Sequence, residues 1–125
     1  MSMPDADPQP GEVYLASPAT STTGDAHGSH ARPAGVVERT KNVAHCLTRT
    51  KNPERDARTL ESPADKHNVP CMTLDAHWQD RYQRPVAKRF WGTRDFEYSG
   101  RLSDEARDAL LDFWHTTTLL GRRNL

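Results

Sequence analysis

A chain of 125 residues has room for one domain, which at this size buries roughly two thirds of the surface its unfolded form exposes. Its 17 basic and 17 acidic residues cancel, so total charge gives no argument for a nucleic acid or a membrane surface, and any such argument must be local. A hydrophobic fraction of 34%, nine prolines and seven glycines leave a small core; no apolar run approaches the ~18 residues of a membrane span, and residues 1–10 lack the features of a secretory signal, so a cytosolic protein is expected.

In chain order, residues 1–10 read as a disordered lead-in, too poor in apolar surface to order themselves, and structure is expected from Gly11. In Glu12-Val13-Tyr14-Leu15-Ala16, Val13 and Leu15 alternate with Glu12 and Tyr14, the pattern of a half-buried strand. Residues 17–31 are dominated by Ser, Thr, Gly, Pro, Ala and His and predict a loop of about 15 residues, long enough to suspect function. Residues 33–38, with Ala34-Gly35-Val36-Val37, and 43–48, Val43-Ala44-His45-Cys46-Leu47-Thr48, predict the second and third strands. The segment 49–68 is charged and irregular. Residues 69–74 are the next strand candidate, Pro70 favouring an edge or a strand start, and 84–91 and 95–99 predict two more about a turn at Gly92-Thr93.

The chain closes on its clearest element. Ser103 is a good N-cap, Asp104 and Glu105 suit the positive end of a helix dipole, and Gly121 before Arg122 and Arg123 suits a C-terminus. Between them Ala106, Leu110, Phe113, Trp114, Thr117 and Leu120 recur at helical spacing and give one face to lay on a sheet. The fold class expected is therefore mainly β (α+β): a small antiparallel barrel, or a strongly bent sheet, with a C-terminal helix packed on it. Cys46 and Cys71 fit no zinc spacing and are expected to be reduced residues packed in strands, a disulfide or redox role being the alternative.

The order Gly11-Glu12-Val13-Tyr14-Leu15, a flexible loop, then Gly28-Ser29-His30-Ala31-Arg32-Pro33-Ala34-Gly35-Val36-Val37 resembles the opening hairpin of the MazF/PemK family of toxin ribonucleases. Cys46-Leu47-Thr48-Arg49-Thr50 resembles that family's third strand, and Gly100-Arg101-Leu102-Ser103-Asp104-Glu105 its Gly-x-Leu-Ser entry into the last helix, so the resemblance runs over residues 11–121. It implies an SH3-like barrel with a C-terminal helix. It also implies a toxin component of a toxin–antitoxin system: a homodimeric, cytoplasmic endoribonuclease that cleaves single-stranded RNA without metal or cofactor and is restrained by a cognate antitoxin. In such chemistry the ribose 2′-hydroxyl attacks the adjacent phosphate, and the guanidinium of Arg32 suits a cation fixed beside the phosphorane. Thr48 matches the strand-end hydroxyl that holds a phosphate oxygen. Where many relatives carry a Glu about five residues before the arginine, this chain has His27, with His30 close behind; either histidine can serve as general acid or base.

A second constellation lies between Trp78 and Arg101, where Arg81, Arg84, Lys88, Arg89, Arg94 and Arg101 interleave with Trp78, Tyr82, Phe90, Trp91, Phe96 and Tyr98. Aromatic faces stack on unpaired bases and basic side chains track phosphates, so Arg81, Arg84, Lys88 and Arg89, with Arg49 and Lys51, form the candidate RNA-binding set. The plainer account of this stretch is a strand with one aromatic row buried and the basic residues in water, and the rest of the charged run to Arg58 reads as a solvated loop. The rivals to the ribonuclease are a non-catalytic module of the same fold that grips nucleic acid or protein, and a small structural subunit of a larger assembly.

Overall fold

The computed structural model describes residues 7–20, 31–51, 58–63, 65–72 and 76–119, without the side chains of residues 81, 82, 118 and 119. Alternating apolar residues build the expected first three strands, β1 (Glu12–Ala16), β2 (Arg32–Arg39) and β3 (Val43–Thr50). They are joined by β4 (Thr59–Glu61), β5 (His77–Ala87) and β6 (Phe96–Arg101), and the chain continues into α1 (Asp104–Leu119). The strands form one six-stranded antiparallel sheet in the order β4-β5-β3-β2-β1-β6.

The mainly β fold with a C-terminal helix is as the sequence predicts, but the sheet is not closed into a barrel. Its edges are β4 and β6, and β4, only three residues long, pairs with β5 alone among the described residues. The sheet bends instead. Cys46 faces Arg84 whereas Thr48 faces Gln79, so a two-residue step on β3 matches a five-residue step on β5. Such a bulge kinks its strand and increases the local twist.

Each face of the sheet has its own core. On one face Val13, Leu47 and Trp78 pack with Leu110, Phe113 and Trp114 of α1 and with Val69, Met72 and Leu102. The helix lies close because β2 has no side chain at Gly35, where a Cβ would stand 2.9 Å from Leu110 Cδ2 and 3.0 Å from Trp78 Cη2. Ser103 caps α1 as expected, accepting at Oγ from the Ala106 N–H at 3.2 Å, and the buried positions Leu110, Phe113, Trp114 and Thr117 are those of the predicted apolar face. On the opposite face Tyr14, Ala16, Ala34, Val36, Ala44, Cys46 and Val86 pack with Trp91 and Phe96.

Three local expectations are corrected. Order begins before Gly11: Pro8 is buried, the Gln9 N–H donates to Glu12 Oε1 at 2.8 Å, and Asp7 pairs with Arg39 at 2.6 Å. Residues 1–6 lie outside the described set, as does Leu120. Residues 69–72 form a turn, not a strand; Val69 N–H donates to Asp65 O and Met72 N–H to Val69 O, so the apolar side chains reach the core without a ladder. The turn presses on β6 at Gly100, where a Cβ would lie only 1.8 Å from Asn68 O. The segment read as irregular holds the end of β3 and all of β4. Cys46 lies in β3 but Cys71 lies in this turn, and the two free thiols join the cores of opposite faces.

Candidate functional site

The face away from α1 changes character along its strands. One end is the apolar core around Trp91 and Val86. The other is polar, and strand register shows which residues share it. Tyr14 faces Ala34, Ala34 faces Thr48 and Thr48 faces Gln79, a continuous row over four strands. One step further along, Arg32 faces Ala16 on β1, while Thr50 faces His77 on β5 and His77 faces Glu61 on β4. Arg32 is thus the diagonal neighbour of Thr48, a spacing of about 7–8 Å that a long side chain spans.

The polar end is built from buried groups. Thr48 is 2% exposed, Gln79 5% and Arg84 3%, and Arg84 Nη1 donates to the buried Thr20 Oγ1 at 3.5 Å. Gln79 Oε1 and His77 Nδ1 are buried with no hydrogen-bond partner among the described residues, although a buried polar atom is usually paired because leaving it unpaired costs about 1–3 kcal/mol. Arg32 is half-buried at the start of β2. Beside this end Tyr14 stacks on Phe96 with centroids 4.2 Å apart and meets Tyr98 edge-on at 5.5 Å. Tyr98 is 50% exposed, the one exposed large hydrophobic residue among those described.

Two groups in this face are held neutral. Burial pushes the Cys46 thiol well above its ordinary range, the nearby Arg84 charge opposing the shift only in part, so Cys46 is no nucleophile. Burial likewise raises the Tyr14 phenol, and the Glu12 carboxylate adds to the shift while accepting its O–H at 3.1 Å.

Among the residues singled out from sequence, Arg32 and Thr48 come together on one face, but Thr48 is enclosed and not open to a ligand. Arg49 is not RNA-facing. It shares the helix side with Leu47, stands 5.3 Å over the Trp78 ring and donates to Ser62 O, and burial lowers its pKa. Arg84 is buried under the polar face instead of tracking phosphates. Lys51, Lys88 and Arg89 are exposed, but Lys88 sits against Asn42 by the β2–β3 turn, at the opposite end of the sheet from Arg32. The side chain of Arg81, and His27 and His30 entirely, lie outside the described residues. Of the aromatic series, Trp78 is a core residue at 0% exposure, and Trp91 and Phe96 are buried too, leaving Tyr98 as the open platform.

Sequence reading missed Thr50, His77, Gln79 and Glu61. The alternation of His77 and Gln79 about Trp78 is the signal that would have found two of them, since it places both on the face opposite the tryptophan.

No protein-family model matches the chain, and no curated protein matches it. Among the described residues no helix is long and apolar enough to cross a membrane, and no group of three His, Cys, Asp or Glu side chains is placed to hold a metal ion.

Proposed function

We propose that the chain is an endoribonuclease of single-stranded RNA that works without metal, on the polar end of the sheet face opposite α1. The observation that carries this reading is the strand register that sets Arg32 diagonal to Thr48 and His77 opposite Thr50 on one face, so that a cation and an imidazole share one end of the sheet. The 2′-oxygen forms a bond to phosphorus as the bond from phosphorus to the 5′-oxygen breaks, leaving a 2′,3′-cyclic phosphate and a 5′-hydroxyl. Arg32 supplies fixed positive charge to the phosphorane, where charge develops and where preorganised donors act most strongly. Tyr98, exposed beside this end and facing Tyr14 across the β1–β6 ladder, offers a ring for an unpaired base, which favours single-stranded over duplex substrate.

The resemblance of residues 11–121 to the MazF/PemK toxins supports the same reading, and extends it to a cytoplasmic homodimer held in check by a cognate antitoxin. The edge of the sheet at β4, which pairs with β5 alone among the described residues, suits strand addition by a partner chain.

The enclosure of Thr48 favours one alternative, a module of this fold that binds nucleic acid or protein without cutting it. Incubation of the protein with mixed single-stranded RNA in excess EDTA, beside Arg32→Ala, separates the two. Discrete fragments with cyclic phosphate ends from the wild type and a loss of about 10²-fold or more in Arg32→Ala are expected. Bound but intact RNA assigns the face to binding alone.

A further inference from the structure

Resting on the ribonuclease reading, we propose that His77 is the proton-transfer residue of this site, with Glu61 as its positioning partner. Three independent features converge on His77. Its register sets it opposite Thr50 on β3, two strands from Arg32 and therefore about 10 Å away between backbones, a gap that an arginine and an imidazole close over one phosphate and its ribose. Trp78, the next residue, is locked into the helix-side core at 0% exposure, so alternation holds His77 on the same face as Thr48 and Gln79. And Nδ1 is buried without a partner among the described residues, which leaves Nε2 as the ring nitrogen able to meet a ligand.

The charged groups about this imidazole are few. Glu61 faces it across the β4–β5 ladder, Arg32 lies beyond Thr50 on β2, and Arg84 lies further along β5 itself. Directly opposite cross-strand residues have Cβ atoms about 4.5–5.5 Å apart, so the Glu61 carboxylate is within a side chain's reach of the ring, whose Nδ1 has no hydrogen-bond partner among the described residues. Leu60, before Glu61, packs with the helix-side core, which turns Glu61 to the same face as His77. The step balances as follows: Nε2 takes the 2′-hydroxyl proton, the 2′-oxygen bonds to phosphorus, the 5′-oxygen leaves and takes a proton from water, and the imidazolium returns its proton to solvent.

The test compares wild type, His77→Gln and Glu61→Gln on single-stranded RNA in EDTA across pH, with thermal melts of each and binding of a 2′-O-methyl RNA of the same sequence, which cannot be cut. Expected are a loss of about 10²-fold or more in kcat for His77→Gln and a smaller loss for Glu61→Gln. His77→Gln should also lose the acidic limb of the pH–rate profile, while both variants keep the melt and the 2′-O-methyl RNA affinity of the wild type. Full cleavage by His77→Gln with an unchanged pH profile overturns the role of His77 and leaves the ribonuclease standing. Loss of 2′-O-methyl RNA binding in parallel with cleavage overturns it too, by making His77 a binding or folding residue. No cleavage by the wild type at any pH overturns both readings together.

Discussion

The two faces of this sheet hold similar side chains in opposite ways. Under α1, Arg58 lies 5.0 Å over the Phe113 ring, donates from Nη1 to Thr117 Oγ1 at 3.0 Å, and meets the fully buried Asp80 through two backbone-mediated hydrogen bonds; Arg49 covers Trp78. The Arg58–Thr117 hydrogen bond ties α1 to the sheet side, and Arg49 ties β3 to Ser62 just after β4. On the opposite face Gln79 Oε1 and His77 Nδ1 are buried and keep their capacity. The lesson is that burial alone does not tell a structural arginine from a working one. What distinguishes them is whether aromatic rings and hydroxyls of the same core already surround the charge. Arg49 and Arg58 belong to the scaffold by that criterion, whereas Arg32, diagonal to Thr48 at the start of β2, lies on the face of the proposed site.

The strongest way to break this contrast is to cut the helix side. Trp78→Ala removes the largest fully buried side chain and should cost about 3–5 kcal/mol, read by chemical denaturation, with RNA cleavage falling only in proportion to unfolding. Gly35→Ala is next, because its methyl group would press between Leu110 and Trp78; about 1–3 kcal/mol is expected, together with altered near-ultraviolet dichroism from the tryptophans.

The opposite face is tested by alkali. Burial raises the pKa of Cys46 and, by the same first cause, of Tyr14, so above their unfolded values of about 8.5 and 10 the folded state holds protons that the unfolded state has lost. Stability is then fully present below pH ~8.5 and declines as pH rises, by at most about 1.4 kcal/mol per pH unit for each group; Cys46→Ser should lessen the earlier part of the decline, to which the Cys71 thiol, also raised by burial, contributes as well. A denaturation midpoint constant from pH 8 to 11 would contradict the burial of both groups. The smallest effect sharpens the contrast most: Arg32→Ala should change stability by less than about 1 kcal/mol while abolishing cleavage, whereas Arg49→Ala should lower stability by more than that and leave the cleavage of the folded fraction intact.

How much of this was legible in the sequence follows the same division. β1, β2 and β3 could be read because each is a short apolar run bounded by polar or turn residues, though both sides of each are buried, and α1 because one side of it is apolar at the helical period, with Ser103 and the two acidic residues after it marking the helix start. β5 could not. The bulge opposite Leu47 breaks its alternation, and its side away from α1 carries His77 and Gln79, polar residues that look like loop. β4 has three residues, too few for any period, and Val69 and Met72 enter the core from a turn, where an apolar run has the look of a strand. Arg49 was misplaced by its charge. The parity of β3, which puts residue 49 on the side of Leu47 and not of Thr48, already pointed to the helix face. Glu61 and His77 meet only through the β4–β5 ladder, which no local pattern announces.

The measurement that bears most directly on the division of the two faces is the amide chemical-shift map of the protein titrated with a 2′-O-methyl RNA. Perturbations confined to Ala16, Arg32, Ala34, Thr48, Thr50, His77, Gln79 and Tyr98, with Leu110, Phe113 and Trp114 unmoved, are the expected result. Shifts centred on α1, or on the Lys88–Phe90 end of the sheet and absent from Arg32 and His77, would contradict it.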